Sequence, residues 1–191
     1  MMRMVSAALA VLLAGAIPAL ADVGEDGLHK TDWMALTFKD VAEDLETAAD
    51  EGKRLALIFE QRGCIYCKKL HEEVFSQDDV AEYIGENFMV VQYNLYGDEE
   101  VVDLDGETLT EKDAARKWGV VFTPTIFFLE AEPEEGADVR AATVQTLPGA
   151  FGKGTTLDMF SFIRDGIYET DEPFQRYHAR MIEARQNGSG D

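Results

Sequence analysis

The chain contains two cysteines, Cys64 and Cys67, and only two residues separate them. A disulfide between them closes so short a loop that it restricts the unfolded chain very little. A small secreted scaffold held by disulfides would carry more cysteines, spaced far apart in the sequence. The fold must therefore come from a hydrophobic core, for which 46% hydrophobic residues suffice, and the cysteine pair is better suited to chemistry.

Apolar periodicity predicts strands alternating with helices around this pair. The short apolar run Arg54–Glu60 reads as a buried strand, and a helix is expected from about Cys64 to Phe75. The remaining expected elements are a helix over 33–51, a short helix ending at 86, strands over 88–93, 120–129 and 139–147, and helices over 110–119, 156–168 and 174–185. This order predicts an α/β fold with a central mixed sheet flanked by helices, whose early strands are parallel and whose last two are antiparallel.

The first 21 residues have the pattern of a secretory signal peptide. Arg3 precedes an apolar run from Val5 to Ile17, and Ala19-Leu20-Ala21 has the small residues of a cleavage site. The run is short for a transmembrane helix. We therefore expect export, cleavage after Ala21 and a compartment in which disulfides persist.

The rest of the chain divides into three parts. Residues 22–32 are expected to form a flexible lead-in, 33–170 the main domain, and 171–191 a C-terminal helical extension with a frayed tail. Within the domain, 96–110 is rich in acid and is expected to form an acidic surface insertion. It includes Asp103, Asp105 and Glu107, which resemble part of a calcium loop but lack its full ligand set, so an acidic turn is expected. The net charge of −20 argues against nucleic acid and anionic lipid as partners.

A cysteine pair at the start of a helix assigns different roles to its two thiols. Cys64 lies at the helix N-terminus, where free N–H groups and the helix dipole stabilise a thiolate. Cys67 lies one turn further in and is expected to resolve the mixed disulfide that Cys64 forms with a client protein. The basic residues Arg62, Lys68, Lys69 and His71 either lower the pKa of the Cys64 thiol or form a solvated helix face.

Other uses of the cysteine pair are disfavoured. A c-type haem site needs a histidine directly after the second cysteine, where Lys68 stands, and a zinc site needs four ligands. The histidines at 29, 71 and 178 have no ligand spacing to the pair. We expect no metal and no cofactor other than the redox-active Cys64–Cys67 disulfide; an inert disulfide is the remaining alternative.

Two further positions near the cysteines are candidates for roles in proton transfer and client binding. Glu60 ends an apolar strand four residues before Cys64, where a partly buried carboxylate could carry protons for Cys67. A solvent-facing strand end is the simpler interpretation, because acids are rarely buried. Thr123-Pro124 precedes an apolar strand, and a cis bond there would expose the backbone of Thr123 to an extended client peptide.

Three motifs resemble the thioredoxin superfamily and, more narrowly, the periplasmic SoxW-type thioredoxins of bacterial sulfur-oxidation systems. They are FEQRGCIYCKKLH at 59–71, LTEKDAARKWGV at 109–120 and FTPT at 122–125, and the closing FQRY at 174–177 also fits. The resemblance covers 55–185 and implies the thioredoxin fold, redox-active Cys64 and Cys67, and a cis Thr123-Pro124 bond facing them. The sequence departs from ordinary thioredoxins in the dipeptide Ile65-Tyr66 between the cysteines and in Gly63 before them. It also has Ile58 where ordinary thioredoxins have a buried acid, which leaves Glu60 as the nearest proton carrier.

The resemblance implies a periplasmic thiol–disulfide oxidoreductase that reduces protein disulfides. Its expected site residues are Cys64, Cys67 and Glu60 for catalysis, and Ile65, Tyr66, Thr123 and Pro124 for substrate binding. Its expected partners are protein disulfide clients, among them components of thiosulfate oxidation, and a membrane thiol electron donor; we expect a monomer. An oxidase or isomerase of the same fold, or a non-catalytic binding module, are the alternatives.

Overall fold

The computed structural model describes residues 22–188; the predicted signal peptide and the last three residues lie outside this range. Strands and helices alternate along most of the chain. The strands are β1 (Asp22–Val23), β2 (His29–Lys30), β3 (Arg54–Glu60), β4 (Phe88–Asn94), β5 (Glu100–Val102), β6 (Thr108–Thr110), β7 (Thr125–Leu129) and β8 (Thr143–Pro148). The helices are α1 (Val41–Asp50), α2 (Ile65–Leu70), α3 (Asp78–Asn87), α4 (Glu111–Trp118), α5 (Val139–Ala142), α6 (Lys153–Arg164) and α7 (Phe174–Gly188), with a π-helical turn at His71–Phe75 and a 3₁₀ turn at Ile167–Glu169.

The central sheet has the strand order β4-β3-β7-β8. β3 pairs in parallel with β4 from Arg54–Phe88 to Glu60–Asn94, and antiparallel with β7. β7 and β8 are antiparallel. The predicted mixed sheet, with parallel early strands and an antiparallel late pair, is confirmed.

The two faces of β3 enter two separate cores because successive side chains of a strand point to opposite sides. Ala56 and Ile58 pack with side chains of α3, α6 and α7. Leu55, Leu57 and Phe59 pack with side chains of α1 and α4. Burying each of the larger side chains contributes about 1.5–3 kcal/mol, so β3 is fixed from both sides. Its C-terminal end is therefore a rigid base for the residues that follow.

The first long helix begins later than the sequence predicts. α1 starts at Val41, not at Trp33, because the Asp40 carboxylate caps it by accepting the N–H groups of Ala42 and Glu43. Before the cap, the chain is extended: the Ala35 N–H donates to the Val90 carbonyl oxygen at 2.9 Å, and Trp33 packs edge-on against Phe75. The apolar spacing over 33–40 is therefore not a helical face: Trp33 and Ala35 contact the rest of the domain, whereas Leu36 and Phe38 are 95% exposed.

Two late segments also differ from expectation. The predicted strand at 139–147 begins with the helical turn α5, which the Asp138 carboxylate caps by accepting the Ala141 N–H, and only then continues as β8. The strand predicted from Val120 starts at Thr125. The final core helix runs from Lys153 to Arg164.

The expected C-terminal helix is present as α7. Asp158 of α6 holds it by accepting two N–H groups of Arg185, at 2.7 and 2.8 Å, and by a 2.5 Å contact with His178 Nδ1. The pKa of Asp158 is lowered: burial opposes the shift, but the bonds from Arg185 and His178 prevail. A buried carboxylate thus fixes α7 to the domain.

The acidic insertion at 96–110 is an ordered excursion containing the β5–β6 hairpin. Its carboxylates differ: Asp105 and Glu107 are exposed, whereas Asp103 is buried. The lead-in at 22–32, expected to be flexible, contains the β1–β2 hairpin. Over residues 22–188, no helix combines the length and apolar character needed to cross a membrane.

Candidate active site

The cysteine pair lies just beyond the C-terminal end of β3. Gly63 turns the chain with a φ of +72°, a region that favours glycine, and Cys64 is the N-cap of α2. Cys64 and Cys67 form a disulfide, and the Cys64 Sγ accepts the Cys67 backbone N–H at 3.0 Å. The turn after β3 thus places one sulfur at the helix N-terminus, where the sequence predicted it.

The two sulfurs differ in access to solvent. Cys64 is 7% exposed and Cys67 is 0% exposed. Both cysteines are largely buried, but Cys64 is the one that a reaction partner would reach first. The predicted roles, Cys64 as nucleophile and Cys67 as resolving thiol, require this order of access and stay predictions.

The Thr123-Pro124 bond is cis, as the resemblance implied, and the segment faces the disulfide. The Thr123 hydroxyl donates to the Cys64 Sγ at 3.3 Å, and Pro124 is buried beside it. The structure thus brings Thr123, from the loop before β7, together with the cysteine at the end of β3. The Thr123 hydroxyl contact was not part of the sequence prediction.

A groove of about 400 Å³ opens beside Cys64. Its walls carry apolar side chains that solvent reaches, including Ile65 and Tyr66, which are 79% and 65% exposed. Across the groove lie Tyr96, at 70%, and Val121, at 81%. We name these four side chains, with the half-exposed Phe122, the apolar rim. Sequence reasoning found Ile65 and Tyr66 but missed the others, because they come from two loops distant in sequence.

The basic residues near the cysteines do not form a cluster around Cys64. Lys68 pairs with Glu72, and Lys69 lies 3.8 Å from Glu73, each one turn along the exposed helix face. The Arg62 guanidinium donates to the carbonyl oxygens of residues 25 and 26. For the two lysines the solvated-face interpretation is therefore correct, since each is neutralised by its own helix.

His71 does not belong to that face at all. It is 0% exposed, and its Nε2 lies 2.9 Å from Glu60 Oε1. Glu60 is also 0% exposed, so the interpretation of Glu60 as a solvent-facing strand end is wrong. Its second oxygen, Oε2, accepts the Gln92 Nε2–H at 2.5 Å. Burial is possible here because both carboxylate oxygens have partners.

This polar cluster extends towards the surface. The Gln92 Oε1 accepts the Lys30 ammonium at 2.7 Å, and Lys30 also pairs with Asp26. The His29 ring lies 5.4 Å from the His71 ring, centre to centre. Burial lowers the pKa of His29, as does the nearby His71, while Glu60 raises it in part. Sequence reasoning found Glu60 but missed Gln92, which has no local signal.

Metal binding has little support in this arrangement. Over residues 22–188, no three His, Cys, Asp or Glu side chains are grouped so that they could hold an ion. The carboxylates of the segment that resembles part of a calcium loop form ion pairs within the protein. The Lys117 ammonium lies 2.6–2.8 Å from carboxylate oxygens of Asp103, Asp105 and Glu107. The acidic turn is thus held by a protein cation.

Comparison with known proteins places this site in a family. The family of thioredoxin-like domains matches residues 41–145, more than half of the chain. A thioredoxin-fold protein from Helicobacter pylori superposes with a TM-score of 0.57 at 22% identity, over 71% of this chain and 86% of the other. A thioredoxin from Thermus thermophilus gives 0.50 at 24%, over 68% and 88%. No curated protein matches. The chain therefore belongs to the family of thioredoxin-like domains, and it has the fold and cysteine pair of a thiol–disulfide oxidoreductase.

Proposed function

We propose that this protein reduces disulfides of other proteins in the periplasm by dithiol exchange. One observation carries the proposal: Cys64, the more exposed of the two cysteines, lies at a helix N-terminus and is bonded to the fully buried Cys67 three residues on. Such a pair has the geometry to form a mixed disulfide at one sulfur and to release it with the other.

The apolar rim supports a protein client over a small thiol. Exposed apolar side chains surround Cys64 on a chain whose net charge is −20, and such patches commonly mark contacts with other proteins. Ile65, Tyr66, Thr123 and Pro124 then form the substrate-binding surface, with Thr123 next to the reacting sulfur. We also assign the buried Glu60 to the proton transfer at Cys67, either as the acid–base group itself or through the histidine that it contacts.

The direction of exchange follows from the resemblance and not from the geometry. A reductant of this fold needs electrons, which we assign to a membrane thiol donor, and the sulfur-oxidation resemblance suggests components of thiosulfate oxidation as clients. The predicted signal peptide supports a periplasmic location. We propose that the protein acts as a monomer.

The exchange reaction itself is tested by trapping. In the Cys67→Ser variant, Cys64 attacks a client disulfide and cannot be displaced, so a covalent adduct should accumulate that dithiothreitol releases. The Cys64→Ser variant is the matched control and should form none. A binding module would instead keep its partners in Cys64→Ser and trap none in Cys67→Ser, and that result would end the redox proposal.

The direction is tested by the reduction potential of the Cys64–Cys67 couple, titrated in glutathione buffers. A reductase should lie near or below roughly −200 mV, in the direction of thioredoxin at about −270 mV. A value near about −120 mV would identify an oxidant that donates disulfides. The same cysteines would then act in the opposite direction.

A further inference from the structure

The resolving step needs a base, because Cys67 must lose its thiol proton before it can attack. Cys67 is 0% exposed, so bulk water has no direct access to that proton. Burial also disfavours a free thiolate, which makes a nearby proton acceptor necessary. Both oxygens of Glu60 already accept hydrogen bonds, from His71 and from Gln92, so Glu60 is poorly placed to take the proton itself.

His71 is one helical turn from Cys67. Its backbone N–H donates to the Cys67 carbonyl oxygen, and residues four apart lie on the same helix face. Side chains on a helix lean towards its N-terminus, so the His71 ring leans towards the turn that holds Cys67. Both side chains are fully buried, so they share the same enclosed side of the helix.

The His71 ring has a free nitrogen. Its Nε2 is within hydrogen-bond distance of the Glu60 carboxylate, and Gln92 donates to the other carboxylate oxygen, an arrangement suited to an Nε2–H donor. In that tautomer Nδ1 carries a lone pair. Among residues 22–188, this Nδ1 is buried and has no hydrogen-bond partner. The lone pair on Nδ1 is therefore not engaged by any other described group, and it is left to accept a proton.

We propose that His71 is the general base for Cys67, with Glu60 as the residue that orients its ring. His71 Nδ1 takes the proton from the Cys67 thiol, and Glu60 stabilises the imidazolium that forms, as a carboxylate behind a catalytic histidine does. The Cys67 thiolate attacks the Cys64 sulfur of the mixed disulfide. The Cys67–Cys64 bond forms while the Cys64–client bond breaks, and the client thiolate leaves and takes up the proton. The client gains two electrons and the dithiol loses two.

This inference rests on the proposed function and decides between the two parts assigned to the buried carboxylate, because the proton passes to His71 and not to Glu60. The other titratable group facing His71 is His29, on β2, whose Nδ1 is also buried without a partner among the described residues. Lys68 and Glu72 belong to the same helix but pair with each other on its exposed face. His29 is therefore the natural control.

The experiment separates the two steps of exchange. Reduced protein is mixed with glutathione disulfide, quenched in acid and analysed by mass, which gives the rate of mixed-disulfide formation and the rate of its resolution. The His71→Gln variant can still donate to Glu60 but has no basic nitrogen. Its resolution rate at pH 7 should fall at least tenfold, since positioned general bases contribute about 10²–10⁴-fold. Formation of the mixed disulfide, which needs only Cys64, should stay within twofold.

The pH profile identifies the cause. The deficit of His71→Gln should shrink as the pH rises past about 8.5, the ordinary pKa of a thiol, because Cys67 then loses its proton unaided. Glu60→Gln should slow resolution less than His71→Gln does, and His29→Gln should leave both rates unchanged. A resolution rate within twofold of wild type, a deficit constant across pH, or an equal deficit in His29→Gln would overturn the assignment.

Two further outcomes remain decisive. If wild type forms no mixed disulfide, the proposed function fails, and this inference fails with it; if it does and His71→Gln resolves normally, only the inference fails. Should His71→Gln not fold, the reduced wild-type protein decides through the nitrogen chemical shifts of its His71 ring. The proposal requires a proton on Nε2 and none on Nδ1, and the opposite tautomer would overturn it.

Discussion

Two buried carboxylates, Asp103 and Glu60, have different surroundings. Asp103 is fully satisfied: it accepts N–H groups from the Trp118 ring at 2.8 Å and from the backbones of residues 104 and 139 at 2.7 and 2.9 Å, and it pairs with Lys117 at 2.8 Å. Glu60 accepts two bonds, and the histidine that donates one of them keeps an unsatisfied nitrogen.

The difference separates a structural carboxylate from one with a chemical use. The partners of Asp103 tie the acidic insertion to α4 and to the start of α5, and both of its carboxylate oxygens accept hydrogen bonds. In the Glu60 cluster, by contrast, the buried Nδ1 of His71 has no partner among the described residues, which costs about 1–3 kcal/mol. The Glu60 cluster accepts this cost one helical turn from Cys67.

The largest expected effect concerns Asp103. Asp103→Asn places an amide N–H group against the donors of Trp118 and Lys117, so we expect a loss of about 3 kcal/mol in the free energy of unfolding, measured in urea. Resolution of the mixed disulfide by the folded fraction should be unchanged. Asp105→Asn is the matched control: its exposed carboxylate also pairs with Lys117, and its removal should cost at most about 1 kcal/mol. Equal losses in the two variants would remove the distinction.

Glu60→Gln should affect activity more than stability, the reverse of Asp103→Asn. The side chain keeps its size and one acceptor oxygen, so we expect a loss of about 1–2 kcal/mol in stability, smaller than for Asp103→Asn. Turnover of a protein disulfide such as that of insulin should nevertheless fall severalfold. The two measurements are a urea titration and a steady-state reductase assay at pH 7. A stable variant with full activity would make Glu60 a second structural carboxylate.

A third buried carboxylate, Asp44, sharpens the comparison because it has neither a paired lysine, as Asp103 has, nor a histidine partner, as Glu60 has. Burial raises its pKa to about 6; the hydroxyl of Thr37 donates to it at 3.1 Å and opposes the shift, while the charges of Asp40 and Glu43 add to it. Because the pKa is raised on folding, its favourable contribution is full below about pH 4 and is lost as the pH rises through 6. Asp44→Asn should therefore stabilise the protein by about 1–3 kcal/mol at pH 7, since each unit of the shift is worth about 1.4 kcal/mol, and by much less at pH 4. Thermal melts at the two pH values test this, and stabilisation of equal size at both would contradict it.

The smallest effect is expected at Thr123, next to the accessible sulfur. Thr123→Val keeps the shape of the side chain and removes the hydroxyl that donates to the Cys64 Sγ. If the same contact stabilises the thiolate, alkylation of the reduced protein by iodoacetamide at pH 7 should slow two- to threefold, about 0.5 kcal/mol. Thr125→Val, whose hydroxyl donates to the Phe122 carbonyl oxygen, is the control and should alkylate normally. Equal rates in all three proteins would leave Thr123 without a part in activating Cys64.

Much of the fold was predictable because it depends on local patterns. β3, β4, the cap of α4 at Thr110 and the left-handed Gly119 that ends α4 follow from apolar runs and capping residues within one segment. The predicted start of α1 at Trp33 was wrong and shows the limit: Trp33 contacts Phe75, Ala35 pairs with β4, and Phe38 is exposed, so no apolar helix face forms there.

The site divides in the same way. Cys64 and Cys67 were evident from their spacing, and Thr123-Pro124 from its place before an apolar strand. The burial of Glu60 was not, because it depends on Gln92, 32 positions away, and on a histidine that looked like part of a basic helix face. A carboxylate and its distant partners are brought together only by the sheet register.

The apolar rim around Cys64 has a consequence for how these molecules meet one another. The body that carries it has 37 acidic and 17 basic residues, so two copies approaching with their rims face to face repel at long range. The reduced protein should thus resist forming Cys64–Cys64 dimers in dilute salt, and added salt should weaken that protection. A neutral or basic client is not repelled by the acidic chain, so it can approach and bind the apolar rim. The negative charge of the chain then disfavours self-association relative to the binding of client proteins.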